Sequence, residues 1–227
     1  MSKSDRRAVV LLSGGLDSAV TLYYALSRGF KVFCIGFDYG QRHKTELAHA
    51  RRIAVAAKCP FYPVNIGLPW KGSSLLDKNL KVPERTIRQA MKGIPSTYVP
   101  GRNIIFLSFA VSLAEVQGCS SVFIGAHAQD YSGYPDCRPE FYKAFAKAVL
   151  KGTKAGVEGK PVKIETPLID MGKADIIRLG RKLKVPFELT WSCYSGGSRP
   201  CGTCDSCLFR AKGFKEAGFC DPASPTA

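Results

Sequence analysis

The stretch Ser13-Gly14-Gly15-Leu16-Asp17-Ser18 follows an apolar run at 8–12 and opens an amphipathic stretch that continues to Arg28. This order is typical of a β-strand that passes through a glycine turn into an α-helix. Such a turn directs backbone N–H groups and a helix N-terminus toward one point, which suits an anion such as phosphate. The alternative is a tight turn in which Asp17 or Ser18 only caps the helix.

The turn lacks the Gly-Lys-Ser/Thr ending of a Walker A loop. The turn therefore contains no lysine that could contact a γ-phosphate. A loop of this kind can instead hold the pyrophosphate end of ATP while another group attacks the α-phosphate.

Apolar runs alternate with helix-like stretches along the chain, which predicts an α/β fold. The predicted strands are Ala8–Leu12, Lys31–Phe37, Phe61–Ile66, Ser121–Gly125 and Pro161–Glu165. The predicted helices are Asp17–Arg28, Thr45–Lys58, Asn103–Gln117, Phe141–Leu150 and Lys173–Leu183. Because the first strand is apolar throughout, and the second and fourth nearly so, we expect a parallel twisted sheet with helices on both faces.

The composition is that of an ordinary globular protein, with 45% hydrophobic and 22% charged residues. No apolar run approaches the ~20 residues that span a bilayer, and the first apolar run is too short for a secretory signal. We therefore expect a cytoplasmic protein without a membrane partner. The net charge of +15 favours polyanionic partners such as ATP or tRNA, although a basic surface that aids solubility is the alternative.

Four of the nine cysteines lie within fifteen residues of one another. Cys193, Cys201, Cys204 and Cys207 supply four thiolates, enough to close a tetrahedral zinc site whose role is structural. An iron–sulfur cluster is a rival, although the usual ending of a ferredoxin cysteine run is absent. Free thiols are the third possibility. We predict one structural Zn²⁺ per chain in a small C-terminal lobe.

Polar segments follow the predicted strands, and in a parallel sheet these segments line the ligand crevice. Asp136 can accept the adjacent N–H and NH₂ donors of a guanine-like edge, with Tyr131 as a stacking partner; a Pro-Asp turn with aromatic packing is the alternative. Arg102, at the start of a helix, can hold a phosphate or a carboxylate, or lie at the surface. His43 and His127 are further candidates for ligand contact.

The stretch 67–101 is rich in Gly, Pro, Lys and Arg, and a connection of that length is usually functional or mobile. We interpret it as a basic lid or an oligomer contact, with a solvated insertion as the alternative. A short helix is possible near 85–91. The predicted organisation is a nucleotide-binding domain at 1–188, the cysteine lobe at 189–220 and a flexible tail at 221–227.

The glycine turn resembles the signature of the PP-loop ATP pyrophosphatase superfamily, whose fold is of the HUP type. Further motifs resemble the 7-cyano-7-deazaguanine synthase family of the queuosine pathway. They are Tyr39-Gly40-Gln41-Arg42-His43, Val99-Pro100-Gly101-Arg102-Asn103, the loop 130–138, and 191–207 with its four cysteines. The resemblance covers about 8–214, nearly the whole chain.

The resemblance implies an ATP-dependent carbon–nitrogen ligase. It would convert 7-carboxy-7-deazaguanine and ammonia to the 7-nitrile through an adenylated carboxylate and an amide. ATP with Mg²⁺, ammonia and the deazaguanine acid are the implied partners, no stable nucleic-acid complex is required, and we expect a homodimer. The ATP-binding residues would be Leu11, Leu12, Ser13, Gly14, Gly15, Leu16, Asp17, Ser18 and Arg102. Tyr131, Asp136 and Arg138 would bind the acid, Asp17 and Ser18 would be catalytic, and Asp130 is the candidate general base.

The main alternative is a PP-loop enzyme that modifies a tRNA base directly. The net charge and the basic 67–101 stretch favour it, whereas the sequence contains no separate RNA-binding domain. A zinc-bearing nucleic-acid module that is not an enzyme would leave the glycine turn unexplained.

Overall fold

The first strand, β1 (Arg7–Leu11), lies at the centre of the molecule because its apolar side chains alternate between two hydrophobic cores. Val9 and Leu11 enter one core, while Ala8 and Val10 enter the other. The backbone of β1 pairs with a strand on each side. A strand that is buried on both faces must sit between two layers of helices.

The computed structural model describes residues 6–40, 45–77, 79–80, 93–127, 133–195, 197 and 199–223. Its sheet contains β1, β2 (Lys31–Asp38), β3 (Phe61–Asn65), β4 (Ser121–Phe123) and β5 (Lys163–Glu165) in the order β3-β2-β1-β4-β5. Every neighbouring pair is parallel. The architecture is therefore the α/β fold with a parallel sheet that the sequence predicts.

Seven helices of the described residues cover the two faces of the sheet. They are α1 (Leu16–Ser27), α2 (Thr45–Ala56), α3 (Arg102–Val116), α4 (Pro139–Gly152), α5 (Lys154–Val157), α6 (Lys173–Lys182) and α7 (Asp205–Ala217). Leu107 of α3 and Tyr142 of α4 pack into the core that contains Val9. The helices α1, α2, α6 and α7 contribute to the core on the other face.

The strand order places a crevice at one edge of the sheet. From β1 the chain proceeds outward through β2 and β3, then returns to the opposite side of β1 for β4 and β5. At such a reversal the loops after the strands diverge and leave a cleft at their carboxyl ends. The described parts of the polar segments that follow β1, β2, β4 and β5 therefore meet at one edge, as the sequence predicts.

The predicted strands and main helices are present, with ends that differ by a few residues. The strands β4 and β5 each lack two of the residues predicted for them, at the C-terminus of β4 and the N-terminus of β5. Sequence reasoning missed α5 and α7, while the possible helix at 85–91 lies outside the described residues. Among the helices that the structure describes, none combines the length and apolar character needed to cross a bilayer.

Parts of the 67–101 stretch are anchored in the protein interior. Leu68, Leu75 and Val99 are buried in the same core as Val9. Residues 78 and 81–92 lie outside the described part of the chain, so the lid stays a prediction. In the predicted cysteine lobe, Phe214 of α7 packs edge-on against Phe187, which links that lobe to the main core.

Candidate active site

The glycine turn lies at the crevice and is held by its neighbours. Gly14 has φ = +87°, a conformation that an L-residue adopts only with strain. A side chain at Gly14 would also collide with the backbone carbonyl of Glu46 in α2. The Gly14 carbonyl accepts a 2.9 Å hydrogen bond from the Trp191 backbone N–H. The turn is thus clamped between α2 and the segment that leads to the cysteine cluster.

Hydrogen bonds of two serine hydroxyls stabilise the conformation of the turn. The hydroxyl oxygens of Ser13 and Ser18 lie 3.1 Å apart, and the Ser18 hydroxyl donates to the Gly15 carbonyl at 2.9 Å. Gly15 precedes the first turn of α1 and offers no side-chain cap. The first N–H groups of α1 therefore face the crevice at the positive end of a helix.

Asp17 contacts two basic side chains of the site, Lys173 and His127. Lys173 Nζ donates to both Asp17 carboxylate oxygens at 2.8 Å, and it lies 3.0 Å from His127 Nε2. Burial alone would raise the pKa of Asp17, but the opposing charge of Lys173 and the contact with His127 hold it well below its usual range. The Asp17 carboxylate is therefore ionised at neutral pH.

A cavity of about 250 Å³ opens beside the turn. Most of the predicted ATP residues line it: Leu11, Leu12, Ser13, Gly15, Leu16, Asp17, Ser18 and Arg102. Apolar and aromatic side chains such as Phe37 and Phe106 form one wall, and their rings are stacked 4.0 Å apart. A smaller cavity of about 110 Å³ shares Asp17 and Tyr134 with it and reaches Lys173 and His127.

Three ionisable side chains of the larger cavity lie on different elements. The Arg102 guanidinium, at the start of α3, donates to the Tyr39 hydroxyl at 3.4 Å. Burial raises the pKa of the Glu46 carboxyl to about 7, against a smaller lowering by Arg102. Burial also raises the pKa of Tyr39. The cavity thus contains a fixed cation and a carboxyl that can exchange a proton near neutral pH.

The residues predicted to bind the deazaguanine acid are not brought together in the described part of the chain. The Asp136 Oδ2 accepts a 2.9 Å hydrogen bond from the Asn103 backbone N–H, so the carboxylate also serves the N-terminus of α3. Arg138 is exposed and lines neither cavity. Tyr131, Asp130 and His43 lie outside the described residues. The acid-binding roles stay predictions.

The four clustered cysteines form a candidate metal centre. Their Sγ atoms all lie within 4.8 Å of one another, and those of Cys201 and Cys207 are 4.0 Å apart. A tetrahedral zinc with Zn–S bonds of ~2.3 Å needs sulfurs about 3.8 Å apart. The backbone N–H groups of Cys201 and Cys204 point at cluster sulfurs at 3.3 Å, which favours thiolates. The four residues therefore fit a metal ion.

The metal centre is joined to the cavity. Trp191 Nε1 donates to the Cys193 carbonyl at 2.9 Å, and the Trp191 backbone binds Gly14 as described above. Ser192, Tyr194 and Ser206 of the same region line both cavities. The cysteine cluster thus supports one wall of the site.

Comparisons with known proteins identify the family of this chain. A family model described as "Queuosine biosynthesis protein QueC" matches residues 7–218. The chain belongs to this family. A 7-cyano-7-deazaguanine synthase from Acetivibrio thermocellus is 53% identical over 220 residues, which cover 95% of this chain and 96% of the relative.

Further relatives and structures extend the comparison. A protein of the same name from Thermoplasma volcanium is 53% identical over 217 residues, covering 96% of this chain and 90% of the relative. Among solved structures, an NMN synthetase from Francisella tularensis is 12% identical with a TM-score of 0.49, covering 96% of this chain and 79% of the other. That likeness is too distant to bear on function.

Sequence reasoning missed two polar residues of the site. Lys173 begins α6, and its ammonium group reaches Asp17, which is 156 positions earlier in the chain. Glu46 looked like an ordinary helical carboxylate, and only the packing of α2 against the glycine turn brings it to the cavity. The one available signal was that Lys173 follows a predicted strand and so belongs to the crevice edge.

Proposed function

We propose that this chain is an ATP-dependent 7-cyano-7-deazaguanine synthase. It joins 7-carboxy-7-deazaguanine and ammonia, first to an amide and then to the nitrile, and acts in queuosine biosynthesis. The observation that carries the proposal is the family match over residues 7–218 together with 53% identity to relatives of that name. The glycine turn lines the cavity at the sheet edge where the strand order reverses, and this position supports the use of ATP.

The reaction needs ATP because a carboxylate is a poor electrophile. Attack by ammonia would have to expel oxide, whereas transfer of AMP to the carboxylate creates a good leaving group. A second activation, on the amide oxygen, permits dehydration to the nitrile. In this proposal the protein contributes positioning and charge stabilisation more than covalent chemistry.

The residues at the crevice suit these tasks. The N–H groups at the start of α1 and the Ser13 and Ser18 hydroxyls would hold the pyrophosphate, with Lys173 close enough to neutralise it. Asp17 would face the Mg²⁺ that accompanies ATP, and the ion would supply charge neutralisation of the phosphates. Arg102 would hold the substrate carboxylate or a phosphate from the opposite wall.

The cysteine cluster would bind one structural Zn²⁺. Four sulfur ligands leave no open position for chemistry, so the ion would support the wall that contains Ser192 and Tyr194. A homodimer and a cytoplasmic location stay predictions from the sequence, and so does the supply of nitrogen as free ammonia or from a separate donor.

The proposal is tested by product analysis. Purified protein is incubated with ATP, Mg²⁺, ammonium and 7-carboxy-7-deazaguanine, and the products are identified by mass spectrometry. We expect the amide, the nitrile, AMP and pyrophosphate, with no requirement for tRNA. Absence of the nitrile, combined with tight tRNA binding that weakens steeply with salt, would instead favour an enzyme that modifies tRNA directly.

A further inference from the structure

Glu46 lies on the wall of the large cavity, next to the glycine turn. It belongs to the first turn of α2, whose backbone packs directly against Gly14. Its side chain is partly exposed and lines the same cavity as Ser13, Asp17 and Arg102. A carboxyl at this place faces the volume in which the proposed reaction would occur.

Ammonia poses a specific problem for such an enzyme. At neutral pH it is present mainly as ammonium, which has no lone pair and cannot attack an acyl adenylate. The site therefore needs an anion that binds the ammonium ion and accepts its proton. Asp17 is poorly suited to this role because both of its oxygens already bind Lys173.

Resting on the function proposed above, we propose that Glu46 binds the ammonium ion and acts as the base that converts it to ammonia. One proton passes from ammonium to a Glu46 carboxylate oxygen. The freed lone pair forms the new C–N bond to the adenylated carbonyl carbon. The C–O bond to AMP then breaks, AMP leaves with the electron pair, and the second nitrogen proton passes to water.

The electrostatics of Glu46 agree with this role. Burial raises the pKa of Glu46 to about 7, and general bases work best when their pKa lies near the working pH. The groups that interact with it electrostatically include Arg102 at the start of α3 and Tyr39 directly after β2. Arg102 favours the ionised form that a cation needs, while the buried Tyr39 hydroxyl is a neutral neighbour.

The test compares the wild type with Glu46→Gln and uses two nucleophiles. Formation of the acyl adenylate is followed in a single turnover as pyrophosphate release before any nucleophile is added. Ammonium is then added in one arm, and in the other hydroxylamine, which is largely unprotonated at neutral pH and needs no base. Glu140→Gln is the matched control, since Glu140 also lies in the first turn of a helix but is exposed and lines neither cavity.

We expect Glu46→Gln to form the adenylate normally and to lose about a hundredfold or more in kcat/KM for ammonium. Hydroxamate formation from hydroxylamine should stay close to the wild-type rate. Glu140→Gln should match the wild type in every arm. Glu46→Asp, which keeps a carboxylate, should retain more ammonium activity than Glu46→Gln and covers the case in which the amide variant fails to fold.

Three results would overturn the inference: full ammonium activity in Glu46→Gln, loss of adenylate formation in that variant, or equal loss with both nucleophiles. Failure of the proposed function looks different. In that case the wild type itself releases no pyrophosphate with ATP and the deazaguanine acid.

Discussion

At the scale of single residues, the charge balance around Asp17 determines what the glycine turn can bind. The carboxylate contacts Lys173, the first residue of α6, and His127, in the segment after β4. In the proposed complex with ATP, the Asp17 carboxylate would hold the accompanying Mg²⁺ and the Lys173 ammonium would lie beside the phosphates. The three side chains would thus exchange partners as the nucleotide binds.

Replacing Asp17 tests that arrangement. We expect Asp17→Ala to lower the rate of AMP formation by about a hundredfold or more, because it removes a preorganised charge from the phosphate site. Asp175→Ala is the control, since Asp175 also lies in the first turn of a helix but forms an exposed pair with Arg178. AMP release is measured by chromatography, and an unchanged rate in Asp17→Ala would refute the role of the turn.

The raised pKa of Glu46 predicts that ionisation of this carboxyl destabilises the folded protein. Its pKa is raised from 4.5 to about 7 in the folded state, so the folded state holds the proton more tightly than the unfolded chain. The wild type should therefore lose stability relative to Glu46→Gln as pH rises from 4.5 to 7, and the difference should then level off at no more than about 3 kcal/mol, because solvent screens a partly exposed carboxylate. Urea unfolding between pH 4 and 8 measures the free energy of unfolding of both proteins. A difference between the two that does not change with pH would contradict the expectation.

At the scale of elements, the turn between β1 and α1 depends on the close approach of α2. Gly14 has a positive φ, and a Cβ atom at this position would collide with the Glu46 carbonyl and the Ala50 backbone nitrogen. No other residue type satisfies both conditions without a shift of α2. The glycine is therefore required by tertiary packing as well as by local conformation.

Two alanine variants separate these requirements. Gly14→Ala should destabilise the protein by several kcal/mol and weaken ATP binding, because strain and a backbone collision add together. Gly29→Ala has a similar φ of +80° but open space around the new side chain, so it should cost about 1 kcal/mol and leave ATP binding intact. Thermal unfolding and calorimetry with ATP compare the two variants. Similar losses of stability and ATP affinity in both would contradict the role assigned to α2.

The cysteine cluster should affect the cavity through Trp191. We expect Cys204→Ser to lose bound metal, to unfold at a lower temperature and to bind ATP less tightly, because structural metal sites contribute directly to folding. Cys220→Ser is the control, since Cys220 is an exposed cysteine outside the cluster. Elemental analysis and melting curves test this. A stable, metal-free Cys204→Ser protein with full ATP affinity would argue against a structural centre.

At the scale of the whole molecule, we expect the net charge of +15 to create a positive field that attracts anions such as ATP. Salt screens such a field, with a Debye length of about 10 Å at 0.1 M. We expect kcat/KM for ATP to fall severalfold between low and high potassium chloride, while KM for ammonium does not rise. Steady-state assays at fixed pH measure both. A kcat/KM for ATP that does not change with salt would mean that the charge serves solubility or another partner.

Patterns within short stretches of sequence sufficed for much of the fold. The apolar runs identified the strands because a strand buried on both faces can carry few polar residues. They failed for α7 because its buried residues include the polar Asp205 and Arg210 beside Cys207 and Phe214, so the helix shows no regular apolar pattern. The predictions for β4 and β5 were too long because buried apolar residues, Ile124 and Val162, lie directly outside the two strands.

The amino-acid sequence alone determined the family, the parallel α/β architecture, the glycine turn and the four clustered thiols, since each is encoded in contiguous or closely spaced residues. Only the tertiary structure decided that Lys173 and His127 meet Asp17, that Glu46 enters the cavity, and that Trp191 joins the cysteine cluster to the turn. Contacts between residues far apart in the chain depend on how helices pack on the sheet. Local patterns of hydrophobicity and turn residues do not contain that information.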